Sequence, residues 1–131
     1  MTSNTQLRSP LGAALGLGAA KSGVKHWWAQ RVTAVALTLL GIWFVVSLAL
    51  VGSFELAAIT QWIGNLCNAT LLALFIAALA YHSQLGVQVV IEDYVQGALK
   101  TILIVLSNFL HVAVGALGVV SVLRIAFGVA A

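Results

Sequence analysis

Three long stretches without a formal charge constrain this chain more than any other feature of its sequence. Twenty-three uncharged residues follow Arg31, 36 follow Glu55 and 23 follow Lys100 before the next charged residue. A helix needs about 20 apolar residues to cross the hydrocarbon core of a bilayer. The charge pattern therefore predicts an all-α integral membrane protein with three transmembrane helices.

The composition excludes the common classes of soluble protein. Charged residues make up 7% of the 131 residues and hydrophobic residues 62%, whereas about 25% of the residues in an average soluble domain are charged. Intrinsic disorder needs the opposite composition, and a single cysteine, Cys67, excludes a disulfide scaffold. We expect membrane lipid as a partner and do not expect nucleic acid.

The spans are placed at about 30–52, 63–90 and 101–127. The 36-residue middle stretch is interpreted as one helix with polar ends, because it is short for two helices and a loop. This division gives an N-terminal cytoplasmic segment, 1–28, and a single membrane domain, 29–131. Residues 9–20 are apolar but too short to span, and a docking segment is favoured there over a signal peptide.

Basic residues predict the orientation of the chain in the membrane. Four of the six lie before or at the start of the first span, and Lys100 lies between the second and third spans. The loop between the first two spans has no basic residue, and only Arg124, near the far end of the third span, lies on the opposite side. Since basic residues stay on the cytoplasmic side, we expect a cytoplasmic N-terminus and a C-terminus outside.

Two histidines fall within the predicted spans, where an ionisable residue is a functional candidate. His82 lies in the second span, and a neutral imidazole is a good ligand for heme iron. Gly86 shares its helix face and would let a flat macrocycle approach. The alternative is a histidine that hydrogen-bonds to a neighbouring helix. A second axial ligand could come from His111, at a similar depth in the third span, or from a partner chain.

Polar residues near the cytoplasmic ends of the spans are candidates for binding a quinone. A tyrosine hydroxyl beside a carboxylate, as in Asp93-Tyr94, can hydrogen-bond a carbonyl and relay protons. The alternative is a solvated helix end with an interfacial tyrosine. Arg31, at the start of the first span, could pair with a propionate or phosphate or act only as a basic anchor. No role is assigned to Glu92.

The order of these residues resembles a known family. His82 and, eleven residues later, Asp93-Tyr94 lie in His-Ser-Gln-Leu-Gly-Val-Gln-Val-Val-Ile-Glu-Asp-Tyr-Val, which resembles the signature of the hydrophobic membrane anchor of succinate dehydrogenase, a protein of the cytochrome b556 type. Residues 25–34, Lys-His-Trp-Trp-Ala-Gln-Arg-Val-Thr-Ala, resemble the start of that family's first span. The preceding Ser-Pro-Leu-Gly and Gly-Leu-Gly-Ala-Ala-Lys-Ser-Gly are similar to the bacterial branch closest to mitochondria.

The resemblance implies a fold, cofactors and site residues. Three helices would form half of a heme-binding bundle, with a second membrane anchor protein as the other half. His82 is similar to the axial ligand of a heme b shared with this second anchor, which would supply the other histidine. Tyr94 and Asp93 are similar to residues at the ubiquinone site, and Arg31 to an arginine near the heme propionate or quinone. His111 would then be structural or secondary.

The implied function is that of a membrane anchor in succinate:quinone oxidoreductase, respiratory complex II of the tricarboxylic acid cycle. Such a subunit is not catalytic alone. It passes electrons to ubiquinone from an iron–sulfur subunit, and FAD and the iron–sulfur clusters belong to the flavoprotein and iron–sulfur partners. The expected location is the bacterial inner membrane rather than the mitochondrial one. The alternatives are a fumarate reductase type of b-type cytochrome anchor, or a small transporter or assembly subunit without cofactor.

Overall fold

Helices account for almost all of residues 23–128, which are the residues that the computed structural model describes. They are α1 (Gly23–Ala49), α2 (Leu56–Gly64), α3 (Leu66–Tyr94) and α4 (Gly97–Ala126). No strand occurs between residues 23 and 128, so the predicted all-α class is confirmed. Most of the segment expected to be cytoplasmic, up to residue 22, lies outside the described residues.

Three of the helices are long and apolar enough to cross a membrane: α1 with 27 residues, α3 with 29 and α4 with 30. At about 1.5 Å per residue each measures about 40 Å or more, which exceeds the hydrocarbon core of about 30 Å. The chain is therefore a multi-pass membrane protein. Helix α2 has nine residues and is too short to cross.

The helix ends differ from the predicted spans in ways that the sequence explains. Helix α1 begins at Gly23 rather than near residue 30 and passes through the aromatic and basic residues before Arg31 without a proline or interior glycine to stop it. Arg31 therefore lies in the third turn of α1, not in its first. Helix α3 continues to Tyr94 rather than ending near residue 90. Helices α1 and α3 thus extend beyond the apolar stretches from which the spans were predicted.

Asn65 divides the long middle stretch into two helices, whereas the sequence predicted one helix with polar ends and missed the short helix α2. Its side-chain oxygen accepts hydrogen bonds from the backbone N–H groups of Cys67 (3.0 Å) and Asn68 (3.3 Å). An N-cap of this kind contributes about 1 kcal/mol to helix stability. It starts α3 at Leu66, so the residues before it belong to α2 and not to the second span.

Helix α3 is the central element of the fold. It packs on α1 along one side and on α4 along another, while no Cα atoms of α1 and α4 lie within 8 Å of each other. Helices α1 and α3 run antiparallel, since Phe75 meets Phe44 and His82 meets Thr33. The three spans thus form a row rather than a closed bundle.

Glycines on α4 allow its close approach to α3. A Cβ atom at Gly115 would lie 3.0 Å from Ala80 Cβ, and one at Gly118 would lie 2.9 Å from Ile76 Cγ2. Small residues at such contacts let helix backbones approach in a membrane, where packing rather than hydrophobic burial drives association. The close contact therefore fixes how α4 lies on α3.

An aromatic cluster holds the end of α1 against α2 and α3. The ring of Trp62 on α2 stacks on Trp43 with a centroid distance of 6.0 Å and meets Phe44 edge-on at 6.2 Å. Phe44 in turn stacks on Phe75 of α3 at 5.4 Å. Aromatic pairs at these distances each add about 0.5–1.5 kcal/mol beyond burial. The cluster therefore fixes α1 against its neighbours at the end of the molecule opposite Tyr94.

Few apolar side chains are buried within the described part of the chain. Ala69, Leu85 and Val122 are the buried hydrophobic residues there, whereas Leu39, at 66% exposed, is typical of the outward faces. Lipid or other protein must cover surfaces of this kind.

We predict that Gly115→Ala separates α3 from α4, because the added methyl group would press on Ala80 Cβ. Overpacking of this kind costs about 1–3 kcal/mol and should lower the temperature at which the detergent-solubilised protein unfolds. Gly64→Ala is the control, since nothing lies within 4 Å of a Cβ at that position. The double substitution with Ala80→Gly should restore stability, and failure to restore it would show that the contact is not responsible.

Candidate functional site

A cleft of about 560 Å³ lies between α1 and α3 at the end of the molecule that carries Tyr94. Its α1 wall consists of residues three or four positions apart, which is the spacing of one helix face. The α3 wall is formed by the last turns of that helix. The lining residues are Gly23, His26, Trp27 and Gln30 from α1, and Gly86, Gln88, Val89 and Glu92 from α3.

His82 is held against α1 next to this cleft by both nitrogens of its ring. Its Nδ1 lies 2.9 Å from the hydroxyl oxygen of Thr33, and its Nε2 lies 3.3 Å from the amide nitrogen of Gln30. Gln30 lines the cleft and therefore lies between the cleft and the histidine. The imidazole is part-buried at the helix interface, not turned toward lipid.

The Gln30 side chain also packs over Gly86, which lies one turn after His82 on α3. A Cβ at Gly86 would lie 3.7 Å from Gln30 Nε2, an ordinary contact distance. Gln30 Oε1 and His26 Nε2 are buried atoms without a hydrogen-bond partner among the described residues. Buried polar atoms are normally paired, so these two side chains have unused hydrogen-bonding capacity beside the cleft.

His111 faces the other side of α3 and does not share a site with His82. Its Nδ1 lies 2.8 Å from the carbonyl oxygen of Ser107, and its Nε2 lies 3.2 Å from the hydroxyl of Ser83. A carbonyl oxygen only accepts, so Nδ1 donates and Nε2 accepts from the Ser83 hydroxyl. The possibility that both histidines ligate one heme within this chain does not fit this geometry.

A polar ladder runs along α3 and ends on α4. The amide nitrogen of Gln88 donates to Glu92 at 2.8 Å, and that of Gln84 donates to Gln88 at 3.0 Å and to Asn108 at 2.7 Å. Side chains four residues apart lie above one another on a helix. The ladder connects the cleft with a second cavity, of about 540 Å³, that Gln84, Asn108 and His111 line between α3 and α4.

The other residues selected from the sequence lie outside the cleft lining. Tyr94 is the last residue of α3 and is 84% exposed, with Asp93 exposed beside it. The two-residue turn after Tyr94 leads to Gly97, whose φ of +69° favours glycine. Arg31 is exposed, with its guanidinium 5.5 Å from the centre of the Trp27 ring. Nothing in the described part of the chain covers Tyr94.

Four polar residues of this site were given no functional role from the sequence: His26, Gln30, Thr33 and Glu92. Thr33 and Gln30 are ordinary polar residues in a span, and their part in the site depends on how α1 packs on α3. One available signal was spacing, since His26 and Gln30 lie four residues apart and Thr33 three further on, all on one helix face.

These features define a class of protein: a multi-pass helical membrane protein with an oriented histidine and a polar cleft at one end of its spans. A family model described as succinate dehydrogenase/fumarate reductase transmembrane subunit matches residues 5–123. The chain belongs to this family, and the resemblance that the sequence suggested is confirmed.

Relatives with curated names cover much of the chain. The succinate dehydrogenase hydrophobic membrane anchor subunit of Paracoccus denitrificans is 33% identical over 120 residues, 92% of this chain and 93% of the relative. The protein of that name in Rickettsia bellii is 34% identical over 88 residues, 67% of this chain and 70% of the relative. The succinate dehydrogenase membrane anchor subunit of Reclinomonas americana is 31% identical over 80 residues, covering 59% of this chain and 67% of the relative. No solved structure matches significantly.

Proposed function

We propose that this chain anchors a succinate:quinone oxidoreductase in the membrane and supplies part of a heme b site and part of a ubiquinone site. The observation that carries the proposal is His82, which is oriented by α1 beside a cleft with unpaired polar atoms. Family membership sets the class of complex. The names of the curated relatives favour succinate dehydrogenase over a fumarate reductase type of anchor.

The residues around His82 fit a heme. Its Nε2 would ligate the iron once Gln30 turns away, and its Nδ1 would remain held by Thr33. Unpaired His26 Nε2 and the exposed cation of Arg31 are groups that can receive anionic propionates near the membrane surface. A heme b bound here supplies a one-electron carrier within the membrane. A second histidine ligand would come from the second membrane anchor, because His111 contacts Ser83 and Ser107 on the other side of α3.

Ubiquinone would bind at the exposed end of α3. The Tyr94 hydroxyl would donate a hydrogen bond to a quinone carbonyl, and the Asp93 carboxylate would help to move protons to it. Reduction of a quinone takes two electrons and two protons. Because Tyr94 is 84% exposed in this chain, the remaining walls of such a site would be formed by the second membrane anchor and the iron–sulfur subunit.

The electrons would come from outside this chain. A flavoprotein with FAD would oxidise succinate, and an iron–sulfur subunit would pass the electrons to quinone near Tyr94. About 18 Å of helix separates His82 from Tyr94, at about 1.5 Å per residue. An assembly subunit without cofactor is the competing function, and the heme spectrum of the purified complex separates the two.

The first prediction from the proposed function concerns His82→Ala, which removes the proposed iron ligand. We expect the reduced b-type absorption bands of the purified complex to shift or disappear. The matched control is His111→Ala, in which an imidazole held by Ser83 and Ser107 is lost and the heme spectrum should persist. An unchanged spectrum in His82→Ala would rule out the ligand assignment.

The second prediction concerns Tyr94→Phe, which removes one hydroxyl from the proposed quinone site. Succinate-dependent quinone reduction should fall by about 10-fold or more, as expected for the loss of a proton donor or positioning group. Succinate oxidation with an artificial acceptor should be retained, since flavin and iron–sulfur chemistry lie in other subunits. Tyr81→Phe, at the other tyrosine of α3, is the control. Normal quinone kinetics in Tyr94→Phe would contradict the assignment.

The third prediction tests the orientation, with α1 entering from the cytoplasm of a bacterial inner membrane. In a Cys67→Ala background, Glu55→Cys before α2 should react with an impermeant maleimide in intact spheroplasts. Gln96→Cys between α3 and α4 should react only in inverted vesicles. Both positions are exposed in the chain. The reverse labelling pattern would place the N-terminus outside.

A further inference from the structure

Thr33 makes three contacts with its hydroxyl oxygen, and only one of them can use the hydroxyl proton. The oxygen lies 2.8 Å from the carbonyl oxygen of Ala29, 3.1 Å from that of Gln30 and 2.9 Å from His82 Nδ1. A carbonyl oxygen has no proton to give. Donation to the shorter carbonyl contact, at Ala29, uses this one proton and leaves a lone pair of the oxygen facing the imidazole.

A lone pair facing His82 Nδ1 requires a proton on that nitrogen. The neutral ring then has its own lone pair on Nε2, the nitrogen that faces Gln30 beside the cleft. An amide nitrogen is a donor, so the 3.3 Å contact from Gln30 agrees with an accepting Nε2. With the Gln30 amide in this orientation, the opposite tautomer would bring two N–H donors together there, and the Thr33 hydroxyl would donate to Nδ1 instead of to Ala29.

We propose that Thr33 is a positioning residue that fixes the His82 ring with its proton on Nδ1 and its Nε2 lone pair directed to iron. The inference rests on the proposed function, because it assigns His82 as the heme ligand. A β-branched side chain whose hydroxyl bonds back to the preceding turn has little rotational freedom. Thr33 therefore holds the imidazole at a defined angle before any ligand arrives.

On the Nε2 side of the His82 ring, Gln30 makes only a weak contact. Its contact of 3.3 Å is at the long end for a hydrogen bond, and its Oε1 has no partner among the described residues although it is buried. Little bonding is lost when an incoming ligand displaces this side chain. The two sides of the ring thus differ: one is anchored firmly by Thr33, and the other is covered by a residue that can be displaced.

Loss of the Thr33 hydroxyl should change the redox potential of the heme and the rate at which the heme dissociates. An acceptor on the far N–H of a ligating histidine raises the basicity of the ligand, and a more basic ligand stabilises ferric iron relative to ferrous. Thr33→Val keeps the shape of the side chain and removes the acceptor. It should raise the heme midpoint potential and speed heme loss by roughly 10- to 100-fold, the usual effect of removing such a partner.

The test uses the purified holo complex carrying Thr33→Val, Thr33→Ser, Thr38→Val or His82→Ala. Thr38 is the matched control on α1, because its exposed hydroxyl also bonds back, to Ala34 at 2.9 Å, and does not contact His82. The measurements are the redox titration of the heme bands, the low-temperature electron paramagnetic resonance spectrum of the ferric heme, and the rate of heme transfer to excess apomyoglobin.

Support for Thr33 as a positioning residue would be a raised potential, a shifted ferric spectrum and faster transfer in Thr33→Val, with near-native values in Thr33→Ser and Thr38→Val. Native heme properties in Thr33→Val combined with loss of the heme signal in His82→Ala would overturn the inference and leave the proposed function intact. Native heme in both variants would overturn the His82 assignment as well. Equal effects in Thr33→Val and Thr38→Val would show a general loss of helix packing and would also overturn the inference.

Discussion

The close packing of α4 on α3 sets the arrangement of the other elements. Gly115 and Gly118 bring the two backbones together, and α3 is left with another side on which α1 packs. His82 lies on the α1 side and Ser83, the next residue, contacts His111 on the α4 side. A single helix thus separates the two histidines, one held by α1 and the other on α4.

The row of three spans explains why so little of the chain is buried. Because α1 and α4 do not contact each other in the described residues, each span leaves a broad apolar face for lipid or for another protein. Tyr94 and Asp93, at the exposed end of α3, have no wall opposite them in residues 23–128. Under the proposed function, this exposed end of α3 would be one half of a site, and a partner would supply the other half.

Much of the fold could be predicted from the sequence, because charge spacing reports directly on lipid exposure. The three spans follow from the uncharged stretches. The short helix α2 was missed, since a nine-residue helix leaves no mark in the charge pattern. His82 could be selected as an ionisable residue at membrane depth. Its partners could not, because Thr33 lies 49 positions earlier in the chain and only the packing of α1 on α3 brings them together.

The proposed function depends above all on the oriented imidazole between α1 and α3 being one of two histidine ligands to a heme shared with a second anchor. The decisive measurement is the optical and electron paramagnetic resonance spectrum of the native complex, purified through a tag on this chain. We predict stoichiometric heme with reduced b-type bands and a low-spin ferric signal typical of two histidine ligands. A complex that reduces quinone with succinate and contains no heme would contradict this assignment.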